Sequence, residues 1–169
     1  LVGSEMCIRD REAFWLCIAD LQQHPVVVEM KRYPQHGVTS CYAHCLRVAY
    51  GNYIICKRLG LDYRSAARAG MLHDLFLYDW HVPDRSHKWH GLIHAKIALE
   101  NARRYFSLNP KECDMIRKHM FPLNLALPRY KETVVIVLVD KYCSLTETLA
   151  YWGMQVQSFA GLFLRKIFS

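Results

Sequence analysis

Residues 134–139 read Val-Val-Ile-Val-Leu-Val and run straight into Asp140-Lys141. By propensity this stretch is a buried strand, and that reading would make the chain α/β. No second strand of comparable length is available to pair with it, and an isolated buried strand leaves its backbone N–H and C=O groups without partners. We therefore read it as a core helix over 132–150, which makes the whole chain all-α. Asp140 directly follows the apolar run, so its carboxylate must pair with a cation or bind metal.

Working outward, helical patterns recur along the chain. Phe14, Leu16, Cys17, Ile18 and Leu21 predict a first helix over 12–23, closed by His24-Pro25. After the turn-like Tyr33-Pro34-Gln35-His36-Gly37, Thr39 or Ser40 caps a helix running to Leu59, with Gly60 just past its end. Asp62 caps the next, whose alanines 66, 67 and 69 allow close packing before it ends at Met71-Leu72-His73-Asp74. Helix signals resume from His90 to Tyr105. Asn109-Pro110-Lys111-Glu112 opens another that stops near His119, with asparagine as N-cap and glutamate completing a capping box. Tyr151 to Ser169 reads as a separate final helix, and Phe76 to Lys88 as an aromatic loop, either a substrate lid or plain packing.

Composition narrows the classes. A chain of 169 residues with 52% hydrophobic and 22% charged residues fits one globular domain. Its longest aliphatic run is the six residues 134–139, far short of the roughly 18 needed to cross a bilayer. Residues 1–11 resemble translated linker sequence and are left out of the fold, so the domain is taken as 12–169. Seven cysteines without a CxxC pair argue against a disulfide framework and for a reducing, cytoplasmic home. Cys41 and Cys45, which flank His44, read as small core residues. The net charge of +7 favours anionic partners, but scattered basic residues argue against nucleic acid.

The chemistry-bearing residues lie far apart along the chain. His44, His73, Asp74, His90, His119 and Asp140 fall on or beside five predicted helices, and five of the nine histidines lie between 73 and 94. His90 and His94, four residues apart, share a helix face.

In this order the sequence resembles the HD-domain superfamily: a histidine, here His44 in Tyr42-Ala-His-Cys-Leu-Arg-Val-Ala49; a His-Asp pair, here His73-Asp74; and a distal aspartate, here Asp140 in Leu138-Val-Asp-Lys141. Two further segments, His90-Gly-Leu-Ile-His-Ala95 and Ile116-Arg-Lys-His119, resemble the motifs of members with a two-metal centre. The resemblance spans roughly residues 36–150. It implies a single-domain helical bundle in which Asp74 bridges two divalent ions. His44, His73 and Asp140 would complete one site, and His90 and His119 the other.

It further implies a metal-dependent phosphohydrolase in which Asp74 and His73 are the catalytic pair and metal-activated hydroxide attacks the phosphate ester of a nucleotide or other small molecule. Arg47 and Lys118 are then candidates for holding the phosphate, or are solvated surface cations, and His94 either supports a ligand from behind or faces the substrate. Nitrogen and oxygen donors suit Mn, Fe, Ni, Co or Zn. The Gly-Lys and Gly-Tyr-Pro motifs of the cyclic-dinucleotide branch are missing; Phe76-Leu77 stands where the Gly-Lys would be. A di-iron oxygenase with the same ligands and a non-catalytic metal-binding domain are the alternatives.

Overall fold

In a computed structural model, residues 2–82 and 89–167 are described, with side chains over 9–82 and 89–155. Among the described residues the regular structure is helical apart from one small hairpin. Helix α1 spans Val2–Cys17, α2 Pro25–Val28, α3 Cys41–Arg58, α4 Tyr63–Leu72, α5 His90–Tyr105, α6 Pro110–Lys118 and α7 Lys131–Ile167. The hairpin pairs β1 (Pro34–His36) with β2 (Thr39–Ser40). Among the described residues, no helix is long and apolar enough to cross a membrane.

The run 134–139 is helical, as argued: Val135, Ile136, Val137 and Val139 are buried while Val134 and Leu138 are exposed. Three of the expected caps form as read. Ser40 Oγ accepts from Ala43 N at 3.3 Å and Asp62 Oδ1 from Ser65 N at 3.1 Å. Asn109 Oδ1 accepts from Glu112 N at 2.9 Å, while Glu112 Oε2 accepts from Asn109 N at 2.8 Å.

Other boundaries differ. Helix α1 ends at Cys17 rather than residue 23 and extends back through the linker-like segment left out of the fold, whose Asp10 lies 2.6 Å from Lys57 Nζ. The tail does not form a separate helix: α7 continues past 150 to Ile167, since a lone Gly153 lowers helix propensity without breaking the backbone ladder. The turn-like 33–37 stretch became the hairpin, with Gly37 at φ +62 where a side chain would be strained. A Cβ on Gly37 would also lie 2.5 Å from Tyr151 Cγ, so the hairpin rests directly on α7. Of the aromatic loop, Pro83 to Lys88, including His87, lie outside the described residues.

The core is built on α3 and α4, which approach most closely where Gly70 faces Ala49. A Cβ at position 70 would lie 2.6 Å from Ala49 Cα, so only glycine permits this spacing. Val48, Tyr53, Leu72, Met115, Ile116 and Ile136 fill the space between α3, α4, α6 and α7.

Buried Asp114 ties α6 to the start of α7. Its Oδ2 accepts from Arg129 N at 3.0 Å and Thr133 Oγ1 at 2.7 Å, and Lys118 pairs with Oδ1. Burial alone would push this carboxyl up, but Lys118, Thr133 and the Arg129 amide together hold it below its ordinary value. A depressed folded pKa stabilises the fold above the ordinary carboxyl range, and that stability is lost as pH falls through the folded value, below roughly pH 4. Asp114→Asn should therefore cost about 1–3 kcal/mol at neutral pH and flatten the acid side of the stability curve. Urea titrations between pH 3 and 7 measure both effects.

Candidate metal centre

The His-Asp pair sits where α4 ends. His73 closes the helix, and Asp74 follows in the turn. Gly70 O accepts from His73 Nδ1 at 2.8 Å, which fixes the tautomer and aims Nε2 into the protein. His119 is held the same way by Ile116 O at 2.9 Å, and His94 by His90 O at 2.8 Å. For His44 the partner is a carboxylate: Nδ1 lies 3.0 Å from Glu147 Oε2, two turns along α7 from Asp140. Each of these four imidazoles is thus anchored through Nδ1.

The Nε2 atoms converge on two carboxylates. Asp140 Oδ1 lies 3.0 Å from His44 Nε2 and 3.5 Å from His73 Nε2. Asp74 divides its oxygens: Oδ2 is 3.4 Å from His73 Nε2 and 4.0 Å from His44 Nε2, whereas Oδ1 is 3.3 Å from His94 Nε2 and 3.5 Å from His119 Nε2. Two of the four donor groups among the described residues are His44/His73/Asp140 and Asp74/His94/His119, each with its ligating atoms within 4.8 Å of one another. Gln35 Nε2, from β1, donates to Asp74 Oδ2 at 2.5 Å and fixes the carboxylate between them.

The charges match a cation site. Burial disfavours charge on His44 and His73, yet the adjacent carboxylates outweigh it and hold both well above the ordinary imidazole value. Both aspartates are held well below the usual carboxylate range against the effect of burial, Asp74 by His73 and His94 and Asp140 by His44 and His73. His119 goes the other way, lowered to about 3 by burial and by His73, and stays neutral.

The residues fit divalent ions on three observations. Buried His73 Nε2 and Asp74 Oδ1 have no hydrogen-bond partner. His94 Nε2 and His119 Nε2 lie 2.9 Å apart while each Nδ1 faces a carbonyl that only accepts. Two such nitrogens can be bridged only by a proton or a metal ion, and the donors are the imidazole and carboxylate types that first-row divalent metals take. Cys45 Sγ also lies near, 3.7 Å from His73 Nδ1, but burial pushes its thiol far up and keeps it protonated.

The structure brings together His44, His73, Asp74, His119 and Asp140, and of the 90–94 pair it sets His94 rather than His90 against Asp74. His94, read as supporting a ligand or facing the substrate, stands against Asp74 and His119. His90, taken as a ligand, lies one turn earlier, with Nδ1 2.9 Å from the Tyr78 hydroxyl and its ring stacked between Trp80 and His94. Helical periodicity puts both on one face but does not say which meets the aspartate.

Neither basic residue read as a phosphate holder lines the cavity. Arg47 Nη1 pairs with Glu147 Oε1 at 3.3 Å behind the site, and Lys118 is drawn to Asp114 one turn away. Lys141, which the sequence reading passed over, does line the cavity, and its Nζ donates to Phe121 O at 2.7 Å. Glu147 and Gln35 were missed as well.

The cavity, of about 1490 Å³, has Asp74, Asp140, His94 and His119 at its floor. Apolar side chains, Trp80, Trp89, Leu92 and Leu123 among them, form much of its wall.

A family model described as HD domain matches residues 41–145. Two ribonuclease Y proteins, from Geobacter metallireducens and Geobacter sulfurreducens, are each 32% identical to the chain over 113 residues. That stretch covers 65% of this chain and 20% of each relative, so the chain spans about a fifth of their length. No solved structure matches it.

Proposed function

The chain belongs to the HD-domain family, and from that premise we propose that it is a metal-dependent phosphohydrolase that cleaves the ester of a nucleotide or another small phosphorylated molecule. Family membership implies metal-dependent phosphohydrolase-type chemistry; the substrate and the residue roles are our reading. The observation that carries it is the division of Asp74, one oxygen toward His44 and His73 and the other toward His94 and His119.

His44, His73 and Asp140 would hold one divalent ion, His94 and His119 a second, with Asp74 shared between them. Bound there, such ions supply Lewis acidity, lowering the pKa of water and offsetting phosphate charge. The chain's own contribution is orientation. Gly70, His90, Ile116 and Glu147 lock the four rings, Gln35 locks Asp74, and the apolar cavity wall shields the ester from bulk water. The relatives' name raises an RNA phosphodiester as a second reading, but among the described residues the cavity is lined by one lysine and no arginine. That suits a small ester better than a polyanion.

Metal analysis after anaerobic purification, joined to a screen of small phosphate monoesters and RNA oligonucleotides, tests the proposal. Metal-dependent release of phosphate from a small ester supports it. Cleavage of RNA alone moves the reading to a nuclease, and iron with oxygen consumption moves it to an oxygenase. His94→Ala should bind about one ion fewer per chain and hydrolyse on the order of a hundredfold more slowly. His90→Ala should keep its metal content.

A further inference from the structure

Helix α7 has two faces. The inner one carries Asp140 and Glu147 to the centre. The outer one carries Val134, Leu138, Tyr142, Leu145, Leu149 and Trp152, all exposed. Leu138, Tyr142, Leu145, Leu149 and Trp152 leave 64%, 68%, 58%, 53% and 61% of their surface open. Their spacings of four, three, four and three residues are those of a heptad seam, the pattern that packs one helix along another. Between Lys141 and Arg165 there is a single charged residue, Glu147, and it faces inward to His44 and Arg47. A solvated helix face is normally studded with charge, and from Tyr142 to Trp152 this one has none.

The seam is also its own complement. Positions 138 and 149, and 142 and 145, lie at equal distances on either side of a point between residues 143 and 144. A second α7 running antiparallel about that point sets Leu138 against Leu149 and Tyr142 against Leu145, twice each. Val134 and Trp152 fall within one residue of the same relation. Beside Val134 and Leu138 lies a groove of about 480 Å³, also lined by Ile55, Leu59 and Lys131, at the level where Trp152 of the second copy would arrive. With about 150–200 Å² for each fully exposed large apolar side chain, the stripe and groove offer on the order of 700 Å² per copy. A standard interface needs about 800 Å² per partner.

We propose that this face is a two-fold interface at which a second copy of the chain docks its α7 antiparallel, centred between residues 143 and 144. The inference is independent of the proposed chemistry.

Sedimentation equilibrium of the full chain should give a dimer at micromolar concentration. Leu145→Glu should raise the dissociation constant on the order of a hundredfold or more, with circular dichroism and metal content unchanged. The register is tested by mixing. Leu138→Lys and Leu149→Glu should each weaken the homodimer, whereas an equimolar mixture should restore association, since antiparallel packing sets the new lysine against the new glutamate. In a parallel pairing the two never meet. A chain that stays monomeric at hundreds of micromolar, a dimer indifferent to Leu145→Glu, a mixture that does not restore association, or a monomer that binds lipid vesicles through this face would each overturn the proposal.

Discussion

Asp74→Asn should fold with unchanged helicity, bind divalent metal at least a hundredfold more weakly and lose about three orders of magnitude in hydrolysis. Replacing the carboxylate with an amide removes its charge and leaves one oxygen where two faced separate groups of imidazoles. Loss of an outer hydrogen-bonding partner of a metal ligand already costs about 10–100-fold in affinity, so loss of a shared ligand sets a higher floor. The hydrolytic loss follows from the several kcal/mol of charge stabilisation that such ions supply, at about 1.4 kcal/mol per tenfold. Titration calorimetry and phosphate release measure the two losses. A variant that hydrolyses at the parent rate would remove the centre from the reaction.

Gly70→Ala should be strongly destabilising although it adds a single methyl. The added Cβ meets Ala49 Cα at 2.6 Å and Ala49 N at 2.8 Å, backbone atoms that cannot rotate away. Helices α3 and α4 must then separate along the core. Overpacking of this kind costs about 1–3 kcal/mol, and the upper end applies here because the obstacle is main chain. For a chain of this size that is a fall of roughly 6–12 °C in Tm. Any shift at position 70 also moves the carbonyl that orients His73, so metal affinity should fall together with stability. A loss below about 0.5 kcal/mol by urea denaturation would contradict the close-approach argument.

Much of this molecule is legible in its residues, and what is not has a definite reason. The all-α class follows from one backbone argument about residues 134–139. The caps at Ser40, Asp62 and Asn109 follow from side chains that compete for the first free amides of a helix. The hairpin and the length of α7 did not follow, because both depend on contacts between distant segments, as Gly37 against Tyr151 illustrates.

Within the centre, His90 and His94 were indistinguishable by period, and the choice rests on how far α5 slides along α6. Lys118 adjoins His119 in sequence, but successive helical side chains point about 100° apart. Glu147 did carry a signal: it lies two helical turns from Asp140 and is the one charge in a long neutral stretch. Gln35 carried none, since nothing near it in sequence marks a residue that will reach Asp74.

The chain from Arg47 through Glu147 to His44 has an implication for long-range control. The Arg47 side chain is 60% exposed and lies outside the cavity lining, yet it is joined to His44, and so to Asp140, by successive contacts of 3.3, 3.0 and 3.0 Å. Neutralising that guanidinium, by substitution or by any ligand that captures it, removes one of the two partners, among the described residues, that hold the Glu147 carboxylate in place and so loosens the support of the His44 ring. The cavity therefore has a handle on its rear wall, reachable by molecules that never pass through its mouth.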